Sequence, residues 1–289
     1  MSVHHRYATM NGHKIFYREA GPSGAPVLLL LHGFPTSSYM FRELVPALAD
    51  TYHVVAPDHL GFGLSDAPGV DEFDYTFDAL TELTSGLLKH LGVTRYSLYV
   101  QDYGAPIGWR LAAADPAAVT AIISQSGNAY DAGFVTDFWK PIVAYQQVQN
   151  AETEAGVRQY FTLDATRWQY TNGVPDETLV NPESWYHDYG LISRPGNDAV
   201  QLKLFVDYAT NAPMYPALHE YFRNSQVPLL AVWGRGDGIF GPDGATAFAE
   251  DLPSAQIHLL DGGHFLLESA LPEVTDLIRG FLGALPLAG

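Results

Sequence analysis

Cysteine is absent, which excludes disulfides, a thiolate nucleophile and Cys-ligated zinc together. Positive charge is scarce: 15 Lys+Arg stand against 32 Asp+Glu, a formal charge of -17. Binding to nucleic acid or to anionic lipid needs the opposite balance, and anionic substrates are disfavoured for the same reason. Long hydrophobic runs are missing as well. The longest aliphatic stretch is VLLLL at 27–31, far below the roughly 20 residues that span a bilayer. The opening MSVHHRYATMNGHKIFYREAG holds no apolar signal core. The expectation is a soluble, cytoplasmic protein with no nucleic-acid and no membrane partner. His4-His5, with His13 nearby, lacks the carboxylate spacing of a metal site, so neither metal nor cofactor is expected. The sequence is silent on oligomeric state.

What is present is a large apolar core. Hydrophobic residues make up 47% of 289 and charged residues only 16%, a globular balance. Asn11-Gly12 between two strand-like runs signals a hairpin. Apolar runs then recur as VLLLL, HVVAP (53–57), YSLYV (96–100), VTAIIS (119–124), PLLAVW (228–233) and QIHLL (256–260). Continuous apolar character suits strands buried on both faces of a parallel sheet. Leu80, Leu83, Leu87, Leu88 and Leu91 share one helical face, with Gly92 as a stop. A second helix is expected over 107–114, ended by Asp115-Pro116. Strand–helix alternation implies an α/β class. It breaks at 131–225, which carries 8 of the 17 Tyr and 3 of the 5 Trp but no core strand. The division expected is a core first part at 1–130, a helical cap at 131–225, and a core second part at 226–289.

Chemistry concentrates at strand ends. Ser97-Leu98-Tyr99-Val100-Gln101-Asp102-Tyr103-Gly104 runs a buried strand into a helix with one acid at the junction. A residue at so sharp a turn projects above the sheet beside the positive helix N-terminus, and Gly104 lets the turn close. A carboxylate there can attack without a base to deprotonate it, although an Asp at a helix start can equally be a cap. Asp237 ends Trp233-Gly234-Arg235-Gly236-Asp237 after one strand, and His264 ends Asp261-Gly262-Gly263-His264 after the next. The order nucleophile, acid, His, each at the carboxyl end of its own strand, is that of a hydrolytic triad. Leu31-His32-Gly33-Phe34-Pro35 adds a glycine-bent turn whose Phe34 N–H, paired with the Tyr103 N–H, can face an oxyanion. His32 is expected to orient that loop.

These residues resemble the α/β-hydrolase fold over nearly the whole chain: HGFP, Asp58-His59-Leu60-Gly61-Phe62-Gly63-Leu64-Ser65, the Asp102 elbow, WGRGD and GGH at 264. The Asp at the elbow resembles the Asp-nucleophile branch, epoxide hydrolases and haloalkane dehalogenases. The resemblance implies a mostly parallel central sheet flanked by helices with an inserted helical lid. It also implies an ester formed on Asp102 and hydrolysed by a water that His264 activates. The substrate would be a small apolar electrophile, an epoxide or a haloalkane. For an epoxide it implies two lid tyrosines as donors, Tyr145 and Tyr208, with Tyr215 in reserve; Ala209 stands where an Arg is usual. For a halide it implies a lid indole, Trp139, Trp168 or Trp185, since Tyr103 replaces the usual Trp after the nucleophile. An epoxide hydrolase is the leading expectation, a haloalkane dehalogenase the alternative. A ligand-binding relative without turnover is the reading from another class.

Overall fold

The computed structural model describes residues 1–285 of the chain. The hairpin signal is realised as β1 (His4–Met10) and β2 (His13–Ala20), paired antiparallel. Asn11 and Gly12 both take positive φ, 49° and 86°, the twist a two-residue hairpin turn needs. The six apolar runs become β3 (Val27–Leu31), β4 (His53–Pro57), β5 (Tyr96–Gln101), β6 (Val119–Gln125), β7 (Leu229–Gly234) and β8 (Gln256–Leu260). The sheet order is β1-β2-β4-β3-β5-β6-β7-β8. β2 meets β4 antiparallel, and every later neighbour is parallel.

Successive strand side chains point to opposite faces, and here both faces are covered. Leu29 and Leu31 of β3 join one core, Leu28 and Leu30 the other. The first core receives α2 (Phe77–His90) and α3 (Gly104–Ala114); the second receives α1 (Leu44–Leu48). Leu80, Leu83, Leu87 and Leu88 of α2 are buried as the periodicity predicts, each burial stabilising by about 1.5–3 kcal/mol. The α2 N-terminus is held twice: Thr76 Oγ1 accepts from Ala79 N–H, and Asp207 accepts from Phe77 N–H at 2.7 Å. The second bond ties the inserted segment to the core. α3 begins at Gly104, three residues earlier than its apolar pattern suggests, because the elbow itself starts the helix.

Between β6 and β7 lie α4 (Thr136–Gln147), α5 (Ala151–Arg158), α6 (Leu163–Thr171), α7 (Pro182–Ile192), α8 (Asn197–Asp207) and α9 (Tyr215–Ser225). α4 packs on α5 and α8, and α6 on α7, whereas α9 packs on core helix α3 and on α10 (Asp243–Asp251). α9 therefore belongs to the layer beside the sheet, although every described element of the 131–225 segment is helical. Two last helices, α11 (Leu266–Ser269) and α12 (Leu271–Gly283), join the second core. Among the described residues no helix is long and apolar enough to cross a membrane. Parallel strands place the carboxyl ends of β3, β5, β6, β7 and β8 on one edge, where the loops carrying Phe34, Asp102, Ser126, Asp237 and His264 begin.

Candidate active site

Asp102 sits between β5 and α3 with φ 47°, a left-handed conformation that Asp tolerates better than most residues but that still costs about 1–2 kcal/mol. Two glycines make the turn possible. A Cβ on Gly104 would collide with the Leu31 carbonyl, and one on Gly33 with the Asp102 side chain itself. The HGFP turn and the elbow are thus in direct contact, and Phe34 N–H donates to Asp102 Oδ1 at 2.7 Å. The Tyr103 N–H also favours the charged form of this carboxylate. Burial pushes the Asp102 pKa up; His264 and the two N–H donors oppose that push without cancelling it.

His264 joins two carboxylates. Its Nδ1 lies 3.0 Å from Asp237 Oδ2 and its Nε2 lies 4.0 Å from Asp102 Oδ2. Burial alone would lower the His264 pKa, but the charge and hydrogen bond of Asp237, and then the charge of Asp102, raise it. Asp237 is buried with every lone-pair direction used: Oδ1 accepts from Ile239 and Phe240 N–H at 2.9 and 3.0 Å, and Oδ2 from Ser126 Oγ–H at 2.6 Å besides facing His264. Arg235 N–H to the Leu260 carbonyl and Gly236 N–H to the Gly262 carbonyl fix the acid loop against the base loop. Gln125 Nε2 donates to the His264 carbonyl at 3.0 Å, and Gln101 Nε2 approaches the imidazole Nε2 at 2.7 Å.

Both ring nitrogens of His32 meet backbone groups. Its Nε2 accepts from His59 N–H at 3.0 Å, its Nδ1 meets the Gly33 carbonyl at 2.9 Å, and burial drives its pKa well down. The imidazole is spent on backbone groups that set the direction of Phe34.

The aromatic candidates separate. Tyr103 is packed among Phe34, Phe77, Phe205 and Tyr208 at ring distances of 5.1 to 6.4 Å. Its hydroxyl is buried with no hydrogen-bond partner. Burial and then the Asp102 charge raise its pKa, so the phenol stays protonated. Tyr208 lies beside it, against Trp139 at 4.8 Å, and also feels Asp102. Tyr215 stands behind Tyr208, stacked toward His219 at 6.1 Å. Tyr145 is not brought to Asp102: the charges its hydroxyl meets are Glu154 and Arg158 of α5. α4 buries Trp139, Ile142 and Tyr145 in one stripe, and its Trp139 ring packs on Tyr208. Trp168 is 40% exposed and stacks on Phe138 in an outer groove beside Gly238. The Trp139 indole N–H is committed to the Ile239 carbonyl at 2.9 Å, and Trp185 packs toward Tyr170. No lid indole thus serves the carboxylate. A cavity of about 270 Å³ lined by Phe134, Trp139, Val143, Gln146, Tyr208, Ala209 and Ala212 leads from the insert's surface to Tyr208.

Sequence reasoning missed Gln101, Ser126 and the Tyr103 hydroxyl. Each follows or ends a parallel strand at the shared edge, the same signal that singled out Asp102, Asp237 and His264.

A family profile described as alpha/beta hydrolase fold matches residues 26–271. Among known proteins, the chain is 39% identical over 277 residues to a hydrolase of Saccharomyces cerevisiae described as uncharacterized, covering 95% of each. It is 30% identical over 276 residues to a haloalkane dehalogenase of Mycobacterium marinum, covering 92% of this chain and 87% of that one. The solved structure of epoxide hydrolase A from Mycobacterium thermoresistibile superposes with a TM-score of 0.77 at 24% identity, over 99% of this chain and 100% of that one; this last likeness speaks for the fold alone.

Proposed function

Because this chain belongs to the alpha/beta hydrolase fold family, we propose that it is a hydrolase working through an ester on Asp102, and that its substrate is an epoxide opened to a vicinal diol. Asp102 Oδ2, the oxygen on the His264 side at 4.0 Å from Nε2, attacks an epoxide carbon, and the carbon–oxygen bond of the ring breaks. The departing oxygen takes a proton from a phenol, Tyr208 or Tyr103. His264 Nε2 then deprotonates a water that adds to Cγ of the Asp102 ester. Oδ1 becomes the oxyanion, held by Phe34 and Tyr103 N–H; removing one such donor elsewhere costs roughly 3–4 kcal/mol of barrier. Collapse expels the diol oxygen, which takes the proton from His264, and the carboxyl proton left on Asp102 restores the phenol.

The observation that carries the epoxide reading is the unpartnered, buried Tyr103 hydroxyl beside Tyr208, both in the field of Asp102. An alkoxide leaving group needs a proton donor, and two phenols that feel the Asp102 charge support that reading. The pair differs from the one the resemblance implied, with Tyr103 in place of Tyr145. A haloalkane is the second reading, supported by the 30% identical dehalogenase and by the fact that a phenol can also hold a halide.

The test incubates the protein with an aryl epoxide and with a 1-haloalkane, following diol and halide separately. His264→Gln is expected to accumulate a substrate adduct on Asp102, seen by mass spectrometry, and Asp102→Ala to abolish turnover. Halide without diol establishes the second reading. Full activity in Asp102→Ala removes both, and the absence of any product or adduct supports a ligand-binding relative.

A further inference from the structure

The two ring nitrogens of His264 stand in different situations. Nδ1 faces Asp237 Oδ2, an acceptor, so the ring proton of the neutral imidazole sits on Nδ1 and Nε2 carries the lone pair. That lone pair has to receive a proton from water, yet it is already occupied. Gln101 Nε2 lies 2.7 Å from it, closer than Asp102 Oδ2 at 4.0 Å. Gln101 is the last residue of β5 and is fully buried. Its other amide atom, Oε1, is buried without a partner and lies against Gly33. One end of this amide is therefore satisfied by a neutral imidazole and the other end by nothing. A proton on Nε2 would set two donors face to face, whereas a half-turn of the amide would bring the idle Oε1 to accept from Nε2–H.

We propose that Gln101 is a positioning residue for His264: its amide donates to Nε2 while the imidazole is neutral, and turns over to accept from Nε2–H once the water proton has arrived. The inference rests on the reading of His264 as the base. Two charged groups face this imidazole, Asp237 from the loop after β7 and Asp102 from the elbow, and both favour the cation. The other contacts are neutral: Gln125 on the backbone carbonyl, and the rings of Phe240 and Phe265. With Nε2 uncapped, a protonated His264 would pair with Asp102 and silence nucleophile and base together. Donation from Gln101 opposes that pair in the resting site. The orphaned Oε1 then becomes useful only after proton transfer, when an acceptor is needed.

The experiment is an NMR titration of the His264 imidazole, its signals identified by their loss in His264→Gln. Gln101→Met keeps the length of the side chain and removes donor and acceptor. Its His264 midpoint is expected to fall by about 0.7 unit, a fivefold loss of proton affinity, because the bond accepted from the cation is worth more than the bond donated to the neutral ring. In the wild-type protein, which needs no variant to fold, the Gln101 side-chain amide signals are expected to shift with the His264 midpoint. Coincident midpoints in Gln101→Met and wild type, or wild-type amide signals that ignore the His264 titration, overturn the proposal. Where the Asp102 ester can be followed, the acid limb of its breakdown moves with the midpoint in Gln101→Met, and ester formation falls by less. The titration decides without turnover, so failure to trap any ester would count against the Asp102 reading and leave the Gln101 result standing.

Discussion

Tyr103 has opposite consequences for folding and for chemistry. A hydroxyl buried without a partner forfeits its bonds to water, a penalty of about 1–3 kcal/mol. The surrounding rings of Phe34, Phe77 and Phe205 offer it no acceptor. Tyr103→Phe is therefore expected to stabilise the free protein by about 1 kcal/mol, read as a higher denaturant midpoint. The same change should slow epoxide opening by about 100-fold, the low end of the range for a lost general acid because Tyr208 remains. Gain of stability with loss of rate is what a polar group kept for reaction predicts. A Tyr103→Phe variant that is less stable, or equally active, would mean that its hydroxyl serves packing.

At the scale of elements, the sheet and the cluster of Asp102, Asp237 and His264 were legible because they obey rules that act along the chain. Strands buried on both faces announce themselves as unbroken apolar runs, and parallel pairing puts their carboxyl ends on one edge. Asp102, Asp237 and His264 could be chosen by strand order alone. The inserted helices gave no such guide. Tyr145 and Tyr208 sit in comparable sequence settings, but a helix advances about 1.5 Å per residue, so Tyr145 lies roughly 9 Å along α4 from Trp139, the end that meets Tyr208. Axis direction, which decides which end covers the site, depends on packing between α4, α5 and α8 rather than on any local motif. Gln101 shares the strand-end signal, but a neutral amide beside an acid draws no notice until its contact with the His264 imidazole is seen. Packing of insert on core is also visible in one polar joint. Arg42, after the first turn of the core, grips Glu268 of α11 with two bonds at 2.8 and 2.9 Å, and Ser184 of α7 bonds both. Glu268 has only 4% of its side chain exposed. Arg42→Ala leaves that carboxylate buried and unpaired, and is expected to destabilise the protein by about 3–5 kcal/mol, measured by urea unfolding. A loss below about 1 kcal/mol would put the pair in the class of surface bridges.

At the scale of the whole molecule, the same joint makes stability depend on pH. Asp188 of α7 is buried beside this network and accepts from the Tyr170 hydroxyl of α6. Burial pushes its pKa up to about 7; the Tyr170 and Thr36 hydroxyls pull it down, and the charges of Glu268 and Asp58 add to the rise. An unfolded Asp titrates near 3.9. Between the two values the folded chain holds a proton that the unfolded chain has released. The contribution of this group is thus fully present below the unfolded value and is lost as pH rises through the folded one. Asp188→Asn cannot ionise, yet its Oδ1 can still accept from Tyr170. The melting temperature of Asp188→Asn relative to wild type is therefore expected to climb between about pH 4 and about pH 7 and to level off above, followed by scanning calorimetry. Parallel curves across that interval would show that the carboxyl keeps one protonation state there, and that the joint between insert and core is indifferent to neutral pH.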